Sequence, residues 1–106
     1  MSRRFRKKPM LIEAFQFIWP CSPTALPEWW QAALAKPSDV VGNARMHQAM
    51  HGDPAHCLIF TREGVMRADL GDWVIRGVQG ELYPCKPDIF AATYEEVTSY
   101  SLEKTA

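Results

Sequence analysis

The stretch GDWVIRGVQGELYPCKPDIF, residues 71–90, decides the fold. Two short runs rich in apolar residues, at 73–76 and 81–85, flank a turn that begins at Gly77 and ends at Gly80. Runs of this length separated by a few glycine-containing residues predict a β-hairpin. Pro87 suits the first position of a helix, where its missing N–H would be unpaired in any case. The stretch therefore predicts a strand, a turn, a second strand and the start of a helix.

The rest of the chain adds two strand regions and another helix. Large side chains occupy both faces of the run KPMLIEAFQFI, which predicts a strand inside a sheet. Residues 57–61 and 65–68 predict two further strands, which a tight turn at Glu63 and Gly64 connects as a hairpin. The predicted elements are strands at 8–18, 57–68 and 73–85 and helices at 27–35 and 87–94.

Two segments remain ambiguous in the sequence. Residues 38–56 fit either a helical turn or an edge strand, and residues 97–102 fit either a last strand or a frayed tail. The pattern as a whole predicts an α+β fold formed by a single domain over residues 1–106. We expect about five short, mainly antiparallel strands in a small, strongly bent sheet or half-barrel, with two short helices.

The charge of the chain is balanced overall but unevenly distributed. Cationic and acidic residues both number 12, so the formal net charge is zero. A dedicated nucleic-acid-binding domain is normally basic, so this balance argues against nucleic acid as the main partner. Five of the twelve cations nevertheless lie between residues 3 and 8. Because a self-repelling basic run buries nothing, we expect residues 1–7 to be a flexible tail.

The sequence predicts a cytoplasmic protein. No stretch approaches the roughly 18 consecutive apolar residues of a membrane helix. The basic start is not followed by an apolar run of signal-peptide length. The three cysteines, Cys21, Cys57 and Cys85, are odd in number and show no CxxC spacing, which argues against a disulfide framework.

Two segments resemble a family of small bacteriophage and prophage-encoded proteins of unknown function. The run KKPMLIEAFQF, residues 7–17, together with PEWW, residues 27–30, is similar to the opening of that family. The run GDWVIRGVQGELYPCKPDIFAATYE, residues 71–95, is similar to its C-terminal signature. Asp69 and Leu70 stand where the family commonly has a proline-containing turn. The resemblance implies a shared fold and a phage setting, but no reaction.

The predicted hairpin and helix start contain the strongest set of polar side chains. In one interpretation, Arg76 and Glu81 form an ion pair across the hairpin, which usually adds less than about 1 kcal/mol. In the other, Arg76 and Lys86 face an anion beside Tyr83, as suits a phosphate or a carboxylate. The candidate ligand-binding residues are Arg76, Tyr83, Lys86, Asp72 and Glu81.

Neither a metal site nor a catalytic residue is predicted. The order of His47, His51, His56 and Cys57 fits no standard zinc pattern, so we assign no metal and no cofactor. Cys85 precedes a helix start, where a lowered pKa would make it a nucleophile. It has no histidine nearby in sequence to act as a base, and a buried cysteine is the simpler interpretation.

The adjacent tryptophans Trp29 and Trp30 are the candidate partner surface, because about 100° separates them on a helix and both cannot face one core.

The sequence favours a non-catalytic binding module for a host or phage protein or for a small anionic ligand. The alternative is a small nucleotide-directed hydrolase or transferase using Cys85 or the carboxylates of Asp72 and Glu81. A nucleic-acid-binding module acting through the basic tail ranks third.

Overall fold

The computed structural model describes residues 2–6 and 8–97. These residues form six strands, two α-helices and one short 3₁₀ turn at Pro23–Ala25. In chain order the elements are β1 (Glu13–Gln16), α1 (Glu28–Ala35), β2 (Ala44–His47), β3 (His56–Thr61), β4 (Gly64–Asp69), β5 (Trp73–Arg76), β6 (Leu82–Cys85) and α2 (Pro87–Thr93). The α+β class, the short strands and the two short helices are therefore confirmed.

The six strands lie in two antiparallel sheets of three strands each. One sheet has the order β1-β5-β6 and the other β2-β3-β4. The chain passes from β4 to β5 through a tight turn, in which the Asp72 N–H donates to the Asp69 carbonyl at 3.0 Å. After this turn β5 pairs with β1 and β6 and not with β4, so the predicted single bent sheet is two sheets, and they do not close into a barrel.

Strand β1 is shorter than the predicted strand at 8–18. Its partner β5 ends at Arg76, which lies opposite Glu13, and the turn of the β5–β6 hairpin follows. Residues 8–12 therefore run past the end of the partner strand without forming regular structure. Met10 and Leu11 in this segment remain 58% and 62% exposed.

The remaining predicted bounds differ by small shifts. Helix α1 begins at Glu28, with Pro27 as its N-cap, and α2 begins at Pro87 as expected. The edge-strand interpretation of residues 38–56 is confirmed by β2, which pairs with β3. The ambiguous segment at 97–102 lies outside the described residues except for Val97.

The two sheets and α1 share one hydrophobic core. Trp30 and Phe17 are fully buried in it, and the ring of Phe15 lies 5.1 Å from that of Trp30. Strand alternation directs Cys57 and Ile59 of β3 and Val74 of β5 into this core. The buried members of the core are Phe15, Phe17, Trp30, Ala33, Ala44, Ala55, Cys57, Ile59, Ala68 and Val74.

Helix α2 covers the opposite side of the β1-β5-β6 sheet. Trp73 and Ile75 alternate with the core residue Val74 and so face away from the main core. The ring of Trp73 stacks on that of Phe90 with centroids 4.1 Å apart, and Phe90 lies 5.0 Å from Tyr94. This sheet is therefore packed on both faces.

The start of the chain has no regular secondary structure over residues 2–6, and these residues are exposed. The guanidinium of Arg3 lies 5.4 Å from the centroid of the Phe5 ring. The flexibility of the tail in solution stays a prediction. Within the described part of the chain, no helix is both long and apolar enough to cross a membrane.

Candidate functional site

The five polar residues proposed from the hairpin do not converge. Arg76 lies opposite Leu82 at the turn end of the β5–β6 hairpin, whereas Lys86 follows Cys85 at the open end. Three residue steps along a strand separate these ends by about 10 Å. Tyr83 pairs with Ile75 and therefore faces the other side of the sheet from Arg76. Arg76, Tyr83 and Lys86 thus cannot hold one small anion together.

Arg76 and Glu81 do not pair with each other, because each binds a different group. The Arg76 guanidinium donates to the Glu13 carboxylate across β1 and β5, with an Nη1–Oε1 distance of 2.8 Å. The Glu81 carboxylate folds back over its own turn and accepts the Gln79 N–H at 2.9 Å. The expected ion pair across the β5–β6 hairpin is therefore wrong, because register gives Arg76 a partner on the opposite neighbouring strand.

Lys86 and Asp72 belong to a run of alternating charges at the open end of the hairpin. Lys86 Nζ lies 3.0 Å from Asp72 Oδ2 and 3.4 Å from Asp69 Oδ2. Arg67 bridges Asp69 at 2.6 Å and Asp53 at 2.8 Å. We call these five residues the charge chain. It joins the loop before β3 to β4, to the turn before β5 and to the start of α2.

The contacts of the charge chain shift the pKa values of its members. The hydrogen bonds from Arg67 lower the pKa of Asp53 and of Asp69 below the ordinary value for aspartate. The hydrogen bond to Asp72 raises the pKa of Lys86. Asp53, Asp69 and Lys86 therefore remain charged at neutral pH, and the charge of Lys86 is compensated within the protein.

Tyr83 contributes a neutral phenol. Burial raises its pKa most, and a hydrogen bond with Tyr94 raises it further. The ring lies on the side of the sheet that α2 covers. Tyr83 can therefore offer an apolar surface and a hydroxyl group, but not a phenolate.

The tryptophan pair does not form a partner surface. Trp30 is fully buried, and its indole N–H donates to the Met46 sulfur at 3.5 Å. Trp29 is half-buried and packs 5.7 Å from the ring of Phe15. Helix α1 is short, and both of its large aromatic faces are used to close the core. Of the two candidates for a partner surface, Trp29 is therefore the one that stays partly exposed, as the helical spacing predicts, and Trp30 is not accessible to a partner.

Cys85 lacks the properties of an activated nucleophile. Burial raises the pKa of its thiol, and the nearby carboxylates of Asp72 and Asp88 raise it further. Its sulfur lies 3.6 Å from the Lys86 carbonyl oxygen as a weak donor. Since the thiolate is the reactive form, these shifts oppose nucleophilic catalysis at neutral pH.

The histidines lie on two neighbouring strands. His47 and His56 are opposite each other in the β2–β3 register, and their rings stack at 5.0 Å. His56 Nδ1 lies 2.9 Å from the Pro54 carbonyl oxygen. Cys57 points to the other side of β3 and into the core, where burial raises its pKa to about 12. Across residues 2–6 and 8–97, no three His, Cys, Asp or Glu side chains gather as metal ligands.

A cleft of about 520 Å³ opens at the other end of the molecule. The β3–β4 and β5–β6 hairpins both direct their turns to this end, and the segment between α1 and β2 closes the third side. Its lining includes Lys36, Val41 and Gly42 from that segment, Arg62, Glu63 and Met66 from the first hairpin, and Gly80, Glu81, Leu82 and Tyr83 from the second. Loop clusters on a rigid scaffold are common binding sites.

Lys36 is held at the rim of the cleft by the end of α1. The Asn43 side chain donates to the Lys36 carbonyl oxygen at 2.7 Å and to the Ala33 carbonyl oxygen at 3.4 Å. The Lys36 amino group lies against Gly42, where an added Cβ would approach Nζ to 2.8 Å. The Lys36 amino group can occupy this position because residue 42 has no side chain.

Arg62 lies on a turn that is also fixed by hydrogen bonds. The Thr61 hydroxyl donates to the Gly64 carbonyl oxygen at 2.7 Å and accepts the Glu63 N–H at 3.2 Å. In the described part of the chain, no carboxylate forms an ion pair with Arg62 or with Lys36, whereas Arg67, Arg76 and Lys86 all have one. The cleft lining thus contains two cations without an ion-pair partner in the described residues, Lys36 and Arg62, together with the carboxylates of Glu63 and Glu81.

Neither cation was among the site residues predicted from the sequence. In the sequence, Arg62 lies just before the predicted turn at Glu63 and Gly64, and Lys36 precedes Pro37 at the end of α1. Residues at turns and helix ends are frequent positions for binding groups. The sequence did not show that these two turns meet the β5–β6 turn, because that meeting depends on how the two sheets pack.

No known family model, curated protein or solved structure matches this chain.

Proposed function

We propose that the protein is a non-catalytic binding module whose cleft holds a small anionic ligand. The observation that supports this most directly is the pairing of Lys36 and Arg62, both without a carboxylate partner in the described residues, on two fixed turns around one cleft. The cleft volume of about 520 Å³ lies within the roughly 300–1,000 Å³ typical of small-molecule sites. Two cations on separate turns suit a phosphate or carboxylate group between them.

The apolar lining indicates that the anion belongs to an organic molecule. Met66, Leu82 and Val41 contribute aliphatic surface, and Tyr83 also lines the cleft. Ligand sites commonly combine an apolar wall with a few polar groups that fix orientation. A nucleoside monophosphate combines a charged phosphate group with a planar base. It serves as the first probe of the site.

The groups on which the enzyme alternative depended are occupied within the fold. Asp72 binds Lys86 and the Asp69 N–H, and Glu81 caps the turn of its own hairpin. The pKa of Cys85 is shifted away from the thiolate. These contacts favour the binding module over a nucleotide-directed hydrolase or transferase.

We further propose a setting for this binding module. Cys21, Cys57 and Cys85 are free thiols, as expected for a protein of a reducing compartment such as the cytoplasm. The resemblance of residues 7–17 and 71–95 to small phage and prophage proteins supports a role as a phage accessory protein. In that setting the ligand would come from the host cell or from the phage.

Isothermal titration with AMP and with adenosine tests the proposal. AMP should bind, and adenosine, which lacks the phosphate, should bind at least 10-fold more weakly. Lys36→Gln and Arg62→Gln should each weaken AMP binding by at least 5-fold. Arg45→Gln is the matched control, because Arg45 is an exposed cation of β2 whose neighbours Ala44 and Met46 face the core.

Two results would overturn the proposal. The first is equal binding of AMP and adenosine, which would show that the cleft does not recognise the anion. The second is an equal loss of AMP binding in Arg45→Gln, which would show that only the total charge of the protein matters. If neither result is obtained, titration with a set of other anions of similar size identifies the preferred head group.

A further inference from the structure

The basic start of the chain leaves the body of the protein beside the cleft. We call residues 2–6 and 8–10 the arm. Leu11 and Ile12, which follow it, line a hollow of about 250 Å³ with Gly77, Val78 and Gly80. Gly80 also lines the large cleft. The base of the arm and the rim of the cleft therefore share one turn, that of the β5–β6 hairpin.

The arm concentrates the positive charge of the chain. Residues 3–8 contain five cations and no acid, whereas the remaining chain has seven cations and twelve acids, a net charge of −5. In the part of the chain that the structure describes, Arg3, Arg4, Arg6 and Lys8 form no ion pair with a carboxylate. The three aspartates of the charge chain lie at the opposite end of the hairpins. The arm therefore adds positive charge beside a cleft whose lining holds two cations and two carboxylates.

The arm also presents an aromatic ring. Phe5 is 83% exposed, and the guanidinium of Arg3 lies 5.4 Å from its centroid. An exposed phenylalanine among cations adds a stacking surface to an electrostatic one. Proteins that bind single-stranded nucleic acid combine these two features, because each base offers a face for stacking and each phosphate a charge.

We propose that the arm and the cleft form one binding site for single-stranded nucleic acid. Phosphates pair with the cations of the arm, a base stacks on Phe5, and one nucleotide lies in the cleft with its phosphate between Lys36 and Arg62. This inference rests on the proposed function of the cleft. An extended chain from residue 3 to residue 11 spans at most about 28 Å, which is long enough to follow several nucleotides.

Single strands fit these observations better than a duplex or an acidic peptide. In a duplex the bases are stacked on one another and cannot use the ring of Phe5. An acidic peptide would pair with the cations but would gain nothing from the ring. The acidic body of the protein would repel a long duplex lying across it, whereas a single strand can follow the arm.

Fluorescence anisotropy with labelled 12-nucleotide oligo(dT) tests the inference. A 12-base-pair duplex and a labelled 12-residue polyglutamate serve as the competing ligands. The oligonucleotide should bind at least 10-fold more tightly than polyglutamate. Its affinity should fall with salt by a slope of about −0.7 per phosphate contact in a plot of log affinity against log salt concentration.

Variants of the arm separate stacking from charge. Phe5→Ala should weaken oligo(dT) binding by roughly 5-fold or more and leave polyglutamate binding unchanged, while Phe5→Tyr should restore oligo(dT) binding. The combined variant Arg3→Gln, Arg4→Gln, Arg6→Gln and Lys8→Gln should flatten the salt slope by roughly 2 to 3. Its melting temperature and its AMP affinity should match those of the wild type, because the arm is exposed and leaves the cleft intact.

The outcomes distinguish this inference from the proposed function. If AMP binds but oligo(dT) does not, the nucleic-acid site is excluded and the small-ligand cleft stands. If polyglutamate binds as well as oligo(dT) and Phe5→Ala has no effect, the arm recognises acidic proteins, and the inference is overturned. If oligo(dT) binding survives Lys36→Gln together with Arg62→Gln undiminished, the arm acts without the cleft, and the joint site is excluded.

Discussion

Lys86 and Asp72 connect the start of α2 to the turn before β5 through a contact of 3.0 Å between Nζ and Oδ2. The two partners differ in environment, since the Lys86 side chain is 56% exposed and that of Asp72 only 5%. Asp72 also accepts the Asp69 N–H at 2.9 Å. The carboxylate of Asp72 therefore fixes the passage from the β2-β3-β4 sheet to the β1-β5-β6 sheet.

Replacing Asp72 should destabilise the protein more than replacing an exposed acid. Asp72→Ala leaves the Asp69 N–H without its acceptor and Lys86 with only its 3.4 Å contact to Asp69, and it should lower the free energy of unfolding by roughly 2–3 kcal/mol. Lys86→Ala should also destabilise, because it leaves a buried carboxylate with one partner fewer. Urea denaturation measures both effects. Asp39→Ala is the control and should stay within about 0.5 kcal/mol of the wild type. A small effect of Asp72→Ala would show that water replaces both contacts.

The charge chain should make stability depend on pH in the acidic range. The pKa values of Asp53 and Asp69 are lowered in the folded protein, so the unfolded state binds more protons as the pH falls. Their contribution is present above the ordinary aspartate pKa near 4 and is lost as the pH drops through the lower folded values. Arg67→Gln should flatten this part of the stability curve, measured by urea denaturation between about pH 2 and 6. Equal acid sensitivity of the wild type and Arg67→Gln would contradict the prediction.

Much of the fold was readable from the sequence because local signals agreed with each other. Pro87 at a helix start, the glycines of the β5–β6 turn and the apolar runs on either side all favoured the same elements. The division of the strands into two sheets could not be predicted from the sequence. It depends on the turn at residues 69–72, where the Asp72 carboxylate accepts the Asp69 N–H, and a short turn by itself does not specify whether the next strand stays in the sheet.

The candidate site was readable only in part. Tyr83 and Glu81 do line the cleft, but Arg76 and Lys86 were assigned to it because they are close in sequence. Strand register places Arg76 beside Glu13, a residue 63 positions away, and no local pattern predicts that pairing. Lys36 and Arg62 come from turns that are distant in sequence. Their meeting is a property of the packed sheets.

Trp30 and Trp73 should differ in what they contribute to stability. Trp30→Ala removes a fully buried ring from the main core and should cost about 3–5 kcal/mol. Trp73→Ala removes a half-buried ring whose main contact is the stack on Phe90. Its cost should be smaller, and the loss should concentrate in α2. Amide hydrogen exchange should show faster exchange in α2 for Trp73→Ala, with protection of β3 retained. Uniform loss of protection would show that α2 and the core unfold as one unit.

The arm should be mobile in the free protein. Residues 2–6 are exposed and form no regular structure, and the cations of the arm repel each other. Heteronuclear ¹⁵N relaxation should give low order parameters for residues 2–8 and rigid values from β1 onward. Addition of oligo(dT) should order the arm if it binds nucleic acid. Rigid values in the free protein would contradict the prediction of a flexible tail.

Gly77 and Gly80 should be required for different reasons. Gly80 has a φ of +82°, so Gly80→Ala strains the backbone and should cost about 1 kcal/mol. Gly77 has no such backbone requirement, but an added Cβ would overlap the carboxylate of Glu81. Gly77→Ala should therefore displace Glu81 from its hydrogen bond with the Gln79 N–H and destabilise the hairpin.

The double variant Gly77→Ala with Glu81→Ala separates these two causes. Glu81→Ala removes the group with which the new Cβ would overlap, so the penalty of Gly77→Ala should largely disappear in that background. The penalty of Gly80→Ala should persist there, because backbone strain does not depend on Glu81. Thermal unfolding of the three single and two double variants measures the coupling. If Gly77→Ala costs the same with and without Glu81, the close approach of Glu81 is not the reason for glycine at this position, and the backbone of the turn must be.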